Sequence, residues 1–400
     1  MLLTFEGNNI GPFRDDFELD MQPDRHVTDM DWCVLSEPCE KKYGYGFDTM
    51  QALPVAALYG PNASGKSSVF RALAVMRQIV CDGGIRNINL RYLPFRFRGR
   101  KAPVVFTVCF LYRGRLFEYS LSIDTGRFYD GTDHPRIIRE DLDGDDVFTR
   151  VSEHDSPAIG EEDLYLTSGF RADRPESANL IVEWFRDRLF VDGSLSLNDP
   201  QHPLRREDLG LVNDWISRAA KEAGIPGNFA YVRNPMGGAY TLVSRLLNRD
   251  GSIRQEFKAS VLESDGTIRL LTLIPSVMHT LQTGGVLAVD DMDRLHPELV
   301  LSILSLFRND EINTKHAQFL FSTHNPAYLD DQTLRRDEVK LLQRDERTKV
   351  SELYQLSDFP ARNNHFSLNY LAGRYGAIPS ADFSGIATDA VTGSGTPGGI

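Results

Sequence analysis

The roughly 18 consecutive apolar residues that a membrane-crossing helix needs are nowhere in this chain of 400. The opening MLLTFEGNN reaches Glu6 before any apolar core of a leader could form, so no secretory signal is expected. Cysteine is scarce: Cys33, Cys39, Cys81 and Cys109 form no CxxC pair and stand near no histidine at zinc-finger spacing. That excludes a disulfide framework and a zinc module, and suits reduced thiols in the cytoplasm. Excess positive charge is missing too. With a net charge of −12, the molecule as a whole is not drawn to nucleic acid or anionic lipid, and any such contact needs a local patch. Internal repeats and heptad runs long enough for a coiled-coil arm are also absent. What is left, 41% hydrophobic and 25% charged, is ordinary globular composition at roughly two to three domain equivalents.

Against that plain background stands LYGPNASGKSSVF. Gly60, Pro61, Asn62, Ala63, Ser64, Gly65, Lys66 and Ser67 satisfy the pattern GxxxxGK[ST], and Ser68 follows as a further candidate contact. The apolar run PVAALYG before it reads as a buried strand, and Val69, Leu73, Met76 and Val80 after it recur at helical spacing. Glycines permit the tight turn, and successive N–H groups then point at an anion beside a helix N-terminus. Lys66 would reach the β- and γ-phosphates of a nucleotide, and the Ser67 hydroxyl would ligate Mg²⁺. ATP and Mg²⁺ are therefore the expected cofactors.

Three further stretches fit the same chemistry. VLAVDDMD is an apolar strand ending in Asp290, placed to hold Mg²⁺, and Asp291, placed to activate the attacking water. FLFSTHN is another such strand, and its His324 would sense the γ-phosphate. ESDGTIRLL puts Ser264 and Gly266 at the start of a helix, a second anion site. One nucleotide seldom needs two such sites from one subunit, so the second is expected to cap a phosphate held by another copy.

The rest of the chain reads as a scaffold. LLTFEG and RDDFELDM are strands around a turn. VVFTVCFLY and LFEYSLSI form a hairpin with one wet face, and 125–165 is polar loop. NLIVEWFRDRLFV places Ile181, Trp184, Phe185 and Leu189 on one helix face, and a second helix ends at Gly224. A hairpin over 239–262, a helix over 267–282 and another over 297–307 follow, then strands near 338–343 and 351–356. DDQTLRRDEVKLLQRDE reads as strand and solvated turn. The expected divisions are 1–125, an N-terminal ATPase lobe; 126–260, an inserted β/helical region; 261–380, a C-terminal lobe; and 381–400, a disordered Gly/Ser/Thr-rich tail.

In this order the motifs resemble the ABC-type ATPase heads of the RecF, SMC and OLD groups. More narrowly, NNIGPF, YGPNASGKS, VDDMDRLHP, LRRDEVKLLQRD and YLAGRYGAIP are similar to ATP-binding proteins of bacterial abortive-infection and related anti-phage loci. The resemblance implies an α/β ABC-type P-loop NTPase head: a mixed sheet with helices, an N-terminal antiparallel β-subdomain and an inserted helical and hairpin region. It also implies a head-to-tail homodimer, open to higher assembly, with each ATP between one subunit's Gly60-to-Ser67 loop and the other's Ser264–Gly266 segment. His296 would lie in the loop crossing that interface, and Asn9 and Phe13 would contact adenine. This sequence has Asp-Asp where the family usually has Asp-Glu, so hydrolysis is expected to be slow, that of a switch more than a motor.

Three uses for such an ATPase are open at this point. The leading one is the ATPase subunit of a two-component defence system that controls a separate effector protein. The second is a RecF-like repair ATPase binding DNA directly; Arg91, Arg96, Arg98, Arg100 and Lys101, interleaved with aromatics, are the patch that could do so. The third, an OLD-like nuclease, is disfavoured because too little chain follows His324 for a nuclease domain.

Overall fold

The computed structural model describes residues 1–41, 46–90, 93–95, 97, 102–126, 134–143, 148–151 (backbone), 159–168, 175–191, 208–233, 240–360, 365–379, 383–384 and 387. The cations of the 91–101 patch and nearly all of the 381–400 tail lie outside the described residues, and so do the expectations placed on them.

The N-terminal half runs β1 (Leu2–Asn8), β2 (Phe17–Asp20), β3 (Leu35–Glu40), β4 (Phe47–Ala52), β5 (Val55–Tyr59), α1 (Lys66–Asp82), β6 (Val104–Tyr112), β7 (Arg115–Asp124), β8 (Arg136–Asp143), β9 (Phe148–Val151), α2 (Tyr165–Ser168), α3 (Glu176–Asp187) and β10 (Leu189–Val191). The remainder comprises α4 (Leu209–Glu222), β11 (Asn228–Arg233), β12 (Tyr240–Leu247), β13 (Ile253–Lys258), α5 (Ala259–Leu262), α6 (Asp265–Thr283), β14 (Val286–Val289), α7 (Pro297–Arg308), β15 (Gln318–Thr323), β16 (Val339–Arg344), β17 (Ser351–Gln355) and α8 (Phe366–Leu371).

Two six-stranded sheets organise these elements. One, in the order β2-β1-β6-β7-β8-β9, is antiparallel throughout. The other, β10-β14-β15-β5-β16-β17, is parallel except for its edge strand β17. The strand leading into the phosphate loop, β5, sits inside the parallel sheet, and all five of its residues are buried. Its alternation splits them between two cores. Ala56 and Leu58 face the core that holds α1, α3 and the antiparallel sheet, and Val55, Ala57 and Tyr59 face the one that holds α6 and α7. The inserted three-stranded sheet β11-β12-β13 forms a third, smaller core with α4 and α6. An α/β head with an N-terminal antiparallel sheet is therefore borne out.

Several local expectations are corrected. The 125–165 stretch is not all loop, because β8 pairs with β7 and buries Ile137, Leu142 and the carboxyl of Glu140. Glu140 faces inward without penalty because the Tyr119 hydroxyl (2.8 Å) and the Tyr165 and Leu166 amides (2.7 and 2.9 Å) donate to it. Leu189 is not on the helix with Trp184; it begins β10, pairing in parallel with Val286. The acids of RRDEV are not in a solvated turn. Arg335, Asp337 and Glu338 are fully buried, and the Arg335 guanidinium grips both Asp337 oxygens (3.0 and 2.9 Å) and Asp31 (2.7 Å).

Candidate functional site

Three neighbouring parallel strands, β14, β15 and β5, end side by side, and each runs directly into a chemically loaded turn. After Tyr59 comes the glycine-rich loop, after Val289 come Asp290 and Asp291, and after Thr323 comes His324. The carboxyl ends of parallel strands are where open α/β sheets form their ligand crevices. Here they open on a cleft of about 950 Å³, lined by Asn62 through Ser68, Asp290, Asp291, Asp293, Ser322, His324 and Asn325.

The loop is shaped for an anion. Gly65 precedes α1 with φ 115°, and a Cβ there would come within 2.8 Å of the Phe13 ring and 2.9 Å of Pro12, so no other residue fits. Ser64 Oγ is buried and has no hydrogen-bond partner among the described residues. The Lys66 ammonium donates to the carbonyls of Gly60 (2.7 Å) and Pro61 (3.1 Å). Burial pulls its pKa down to about 8, against the opposing pull of Asp290, Asp293 and Asp291. Ser67 leaves its hydroxyl exposed at the cleft.

The acids are held from behind. The Ser322 hydroxyl donates to Asp290, and the same oxygen accepts the Asp291 amide at 2.9 Å. From α6, Arg269 donates to the Asp290 carbonyl (2.8 Å), tying that helix to the acid strand. Asp291 adopts a left-handed backbone, φ 57°, and its carboxylate pairs with Arg294 at 3.1 Å. Asp293 accepts from the Thr323 hydroxyl and from the His324 amide (2.7 Å), so it fixes the turn that presents the histidine. Burial, and then the Lys66 charge, hold the His324 pKa below its ordinary value, which favours the neutral ring.

The candidates from the sequence divide into three groups. Asn62, Ala63, Ser64, Gly65, Lys66, Ser67, Ser68, Asp290, Asp291 and His324 share the cleft wall; Gly60 and Pro61 stand behind it as acceptors for Lys66. Ser264 and Gly266 do not line this cleft. Ser264 caps α6, its hydroxyl accepting the Thr267 amide at 3.2 Å, and the exposed helix start abuts the Arg294 carbonyl. Asn9 and Phe13 do not line the cleft. Both are buried, Phe13 against Phe17 and Gly65, and Asn9 with its amide donating to the carbonyls of Ala102 and Pro103. The half-buried Gly11, Pro12, Pro94 and Arg344 and the exposed Phe97 line the cleft as well. His296, expected in a loop, caps α7 by accepting the Glu298 amide at 3.2 Å.

Asp293, Ser322 and Arg344 were not singled out from the sequence. The third acid of VDDMD was a visible signal for Asp293, whereas nothing local marks Arg344, which arrives from β16.

Among known structures, the SMC head domain from Thermotoga maritima is similar over 88% of this chain and 98% of that one, at 15% identity and a TM-score of 0.43. No curated protein matches the sequence. Residues 55–330, which span the loop, the acids and the histidine, match the family described as AAA domain, putative AbiEii toxin, Type IV TA system. The chain belongs to that family of AAA-domain ATPases.

Proposed function

We propose that the chain binds ATP with Mg²⁺ and hydrolyses it slowly, as half of a head-to-tail dimer that controls a separate effector in a prokaryotic anti-phage system. The observation that carries this reading is the convergence of Lys66, Asp290, Asp291 and His324 on one cleft at the ends of adjacent parallel strands. Loop amides and Lys66 cradle the β- and γ-phosphates. The Ser67 hydroxyl and Asp290 carboxylate are hard oxygen donors that suit Mg²⁺, which binds through one or two carboxylates plus substrate phosphates. No group of three or more His, Cys, Asp or Glu side chains among the described residues makes a metal cage, in keeping with that mode. When bound, the ion neutralises charge on the phosphate oxygens.

Asp291 orients the attacking water. Its carboxylate starts out paired to Arg294 and is one methylene shorter than glutamate, and both features argue for slow turnover. His324, neutral near pH 7, hydrogen-bonds the γ-phosphate without adding charge. The exposed Ser264–Gly266 helix start, which lies outside its own cleft, caps the nucleotide of a second copy. The family's description, naming an AbiEii toxin and a Type IV TA system, supports the defence setting.

Lys66→Ala is expected to lose ATP binding in a calorimetric titration, and wild-type affinity in that variant would contradict the placement of the phosphates. Asp291→Asn should keep ATP binding and lose about a hundredfold or more in turnover, the usual scale for removing a general base. Asp291→Glu should turn over faster than wild type. No gain would mean that the short side chain is not what limits the rate.

A further inference from the structure

Lys66, Asp290 and the loop amides account for a triphosphate but leave the other end of the cleft without an assigned ligand. That end is built from Gly11 and Pro12, in the turn after β1, and from Pro94 and Phe97, in the segment after α1. It begins where the phosphate cradle stops, because a Cβ on Gly11 would lie 2.9 Å from the Ser68 hydroxyl oxygen. These four residues carry neither charge nor a side-chain hydrogen-bonding group; Arg344, which also lines the cleft, sets its guanidinium toward the Ala63 carbonyl of the phosphate loop. Phe97 is 65% exposed, an aromatic ring held open on a concave wall.

The ring is not on a loose tether. The Gly11 amide donates to the Leu93 carbonyl at 2.6 Å, and the Phe95 amide approaches both the backbone and the side-chain oxygen of Asn9 at 3.3 Å. Phe95 is buried and meets Phe97 edge-on, with ring centroids 5.7 Å apart. Asn9 thus acts at one remove, pinning the segment that presents Phe97.

We propose that Phe97 is the residue on which the nucleobase stacks, with Pro12 and Pro94 completing an apolar base wall. This deepens the ATP-binding reading and rests on it. Base stacking on an aromatic side chain is a sizeable part of such binding, and its loss should weaken affinity about tenfold or more.

The test titrates the full chain, with Mg²⁺, against ATP and against inorganic tripolyphosphate, which has no base. Phe97→Ala should raise the Kd for ATP about tenfold and leave tripolyphosphate unchanged, and Phe97→Trp should restore ATP affinity. Unchanged ATP affinity in Phe97→Ala, or equal weakening of both ligands, would overturn the proposal; the second result would mean that the ring only shapes the phosphate site. Lys66→Ala separates this from failure of the underlying reading. If that variant still binds tripolyphosphate as wild type does, the phosphate assignment itself is wrong, whatever Phe97 does.

Discussion

Lys66 is charged in water and half-starved of it here, and that tension makes its binding pH-dependent. In the free protein its pKa sits at about 8, because desolvation outweighs the three nearby aspartates. A bound triphosphate favours the ammonium, so above that pH binding must take up a proton and affinity must fall as pH rises. Calorimetry in buffers of different ionisation enthalpy should find close to no proton uptake at pH 7 and about one proton at pH 9. Absence of uptake at pH 9 would show that Lys66 is already charged in the free cleft. The sign for stability is the opposite. Between about 8 and the ordinary lysine value of 10.5 the unfolded chain holds the proton that the folded chain has lost, so this contribution grows as pH rises. The residues doing this chemistry were legible because a motif fixes their spacing. Asn9 and Phe13 lie buried instead of lining the cleft, because a sequence shows that a turn nears the phosphate loop but not which of its side chains point inward. Gly11 and Pro12 face the cleft, and Phe13 turns back onto Gly65.

At the scale of elements, the turn before β16 holds the C-terminal lobe to the N-terminal one. Arg335 reaches Asp337, Asp31 and the carbonyls of Val27 and Asp29 while fully buried. Arg335→Met would leave the buried Asp337 carboxylate without its cation, held among the described residues only by the Asp24 amide (2.9 Å), and should cost about 3–5 kcal/mol in urea denaturation, while the folded fraction keeps its ATP affinity. A change below 1 kcal/mol would mean that Asp337 finds water or another donor; the approximate scale for exposed pairs is about 0–1. This cluster was misread as solvated because charged residues are rarely buried, and their partners lie some 300 positions away in sequence. For the same reason β8 was taken for loop, since the inward-facing Glu140 broke the expected alternation. Where periodicity was clean, in β5, α1, α6 and α7, the elements formed as read.

For the molecule as a whole, α6 links the helix cap to the acid strand. Ser264 and Gly266 stand at its start, and one turn later Arg269 holds the Asp290 carbonyl, so in the proposed dimer a phosphate captured from one copy would bear on the acid strand of the other site. The sequence carried the motif order that suggests this pairing, but the second copy is not something one chain can display. The account requires the site to be shared between copies, and mixing two crippled subunits asks that directly. Lys66→Ala lacks a working loop and Ser264→Arg lacks a working helix cap, so each alone should be inactive. In an equimolar mixture about half of the dimers would be mixed, each with one complete site, and ATP turnover should return to about a quarter of wild type. A mixture as inactive as its components, or a Ser264→Arg protein that turns over ATP unaided, would contradict the shared site.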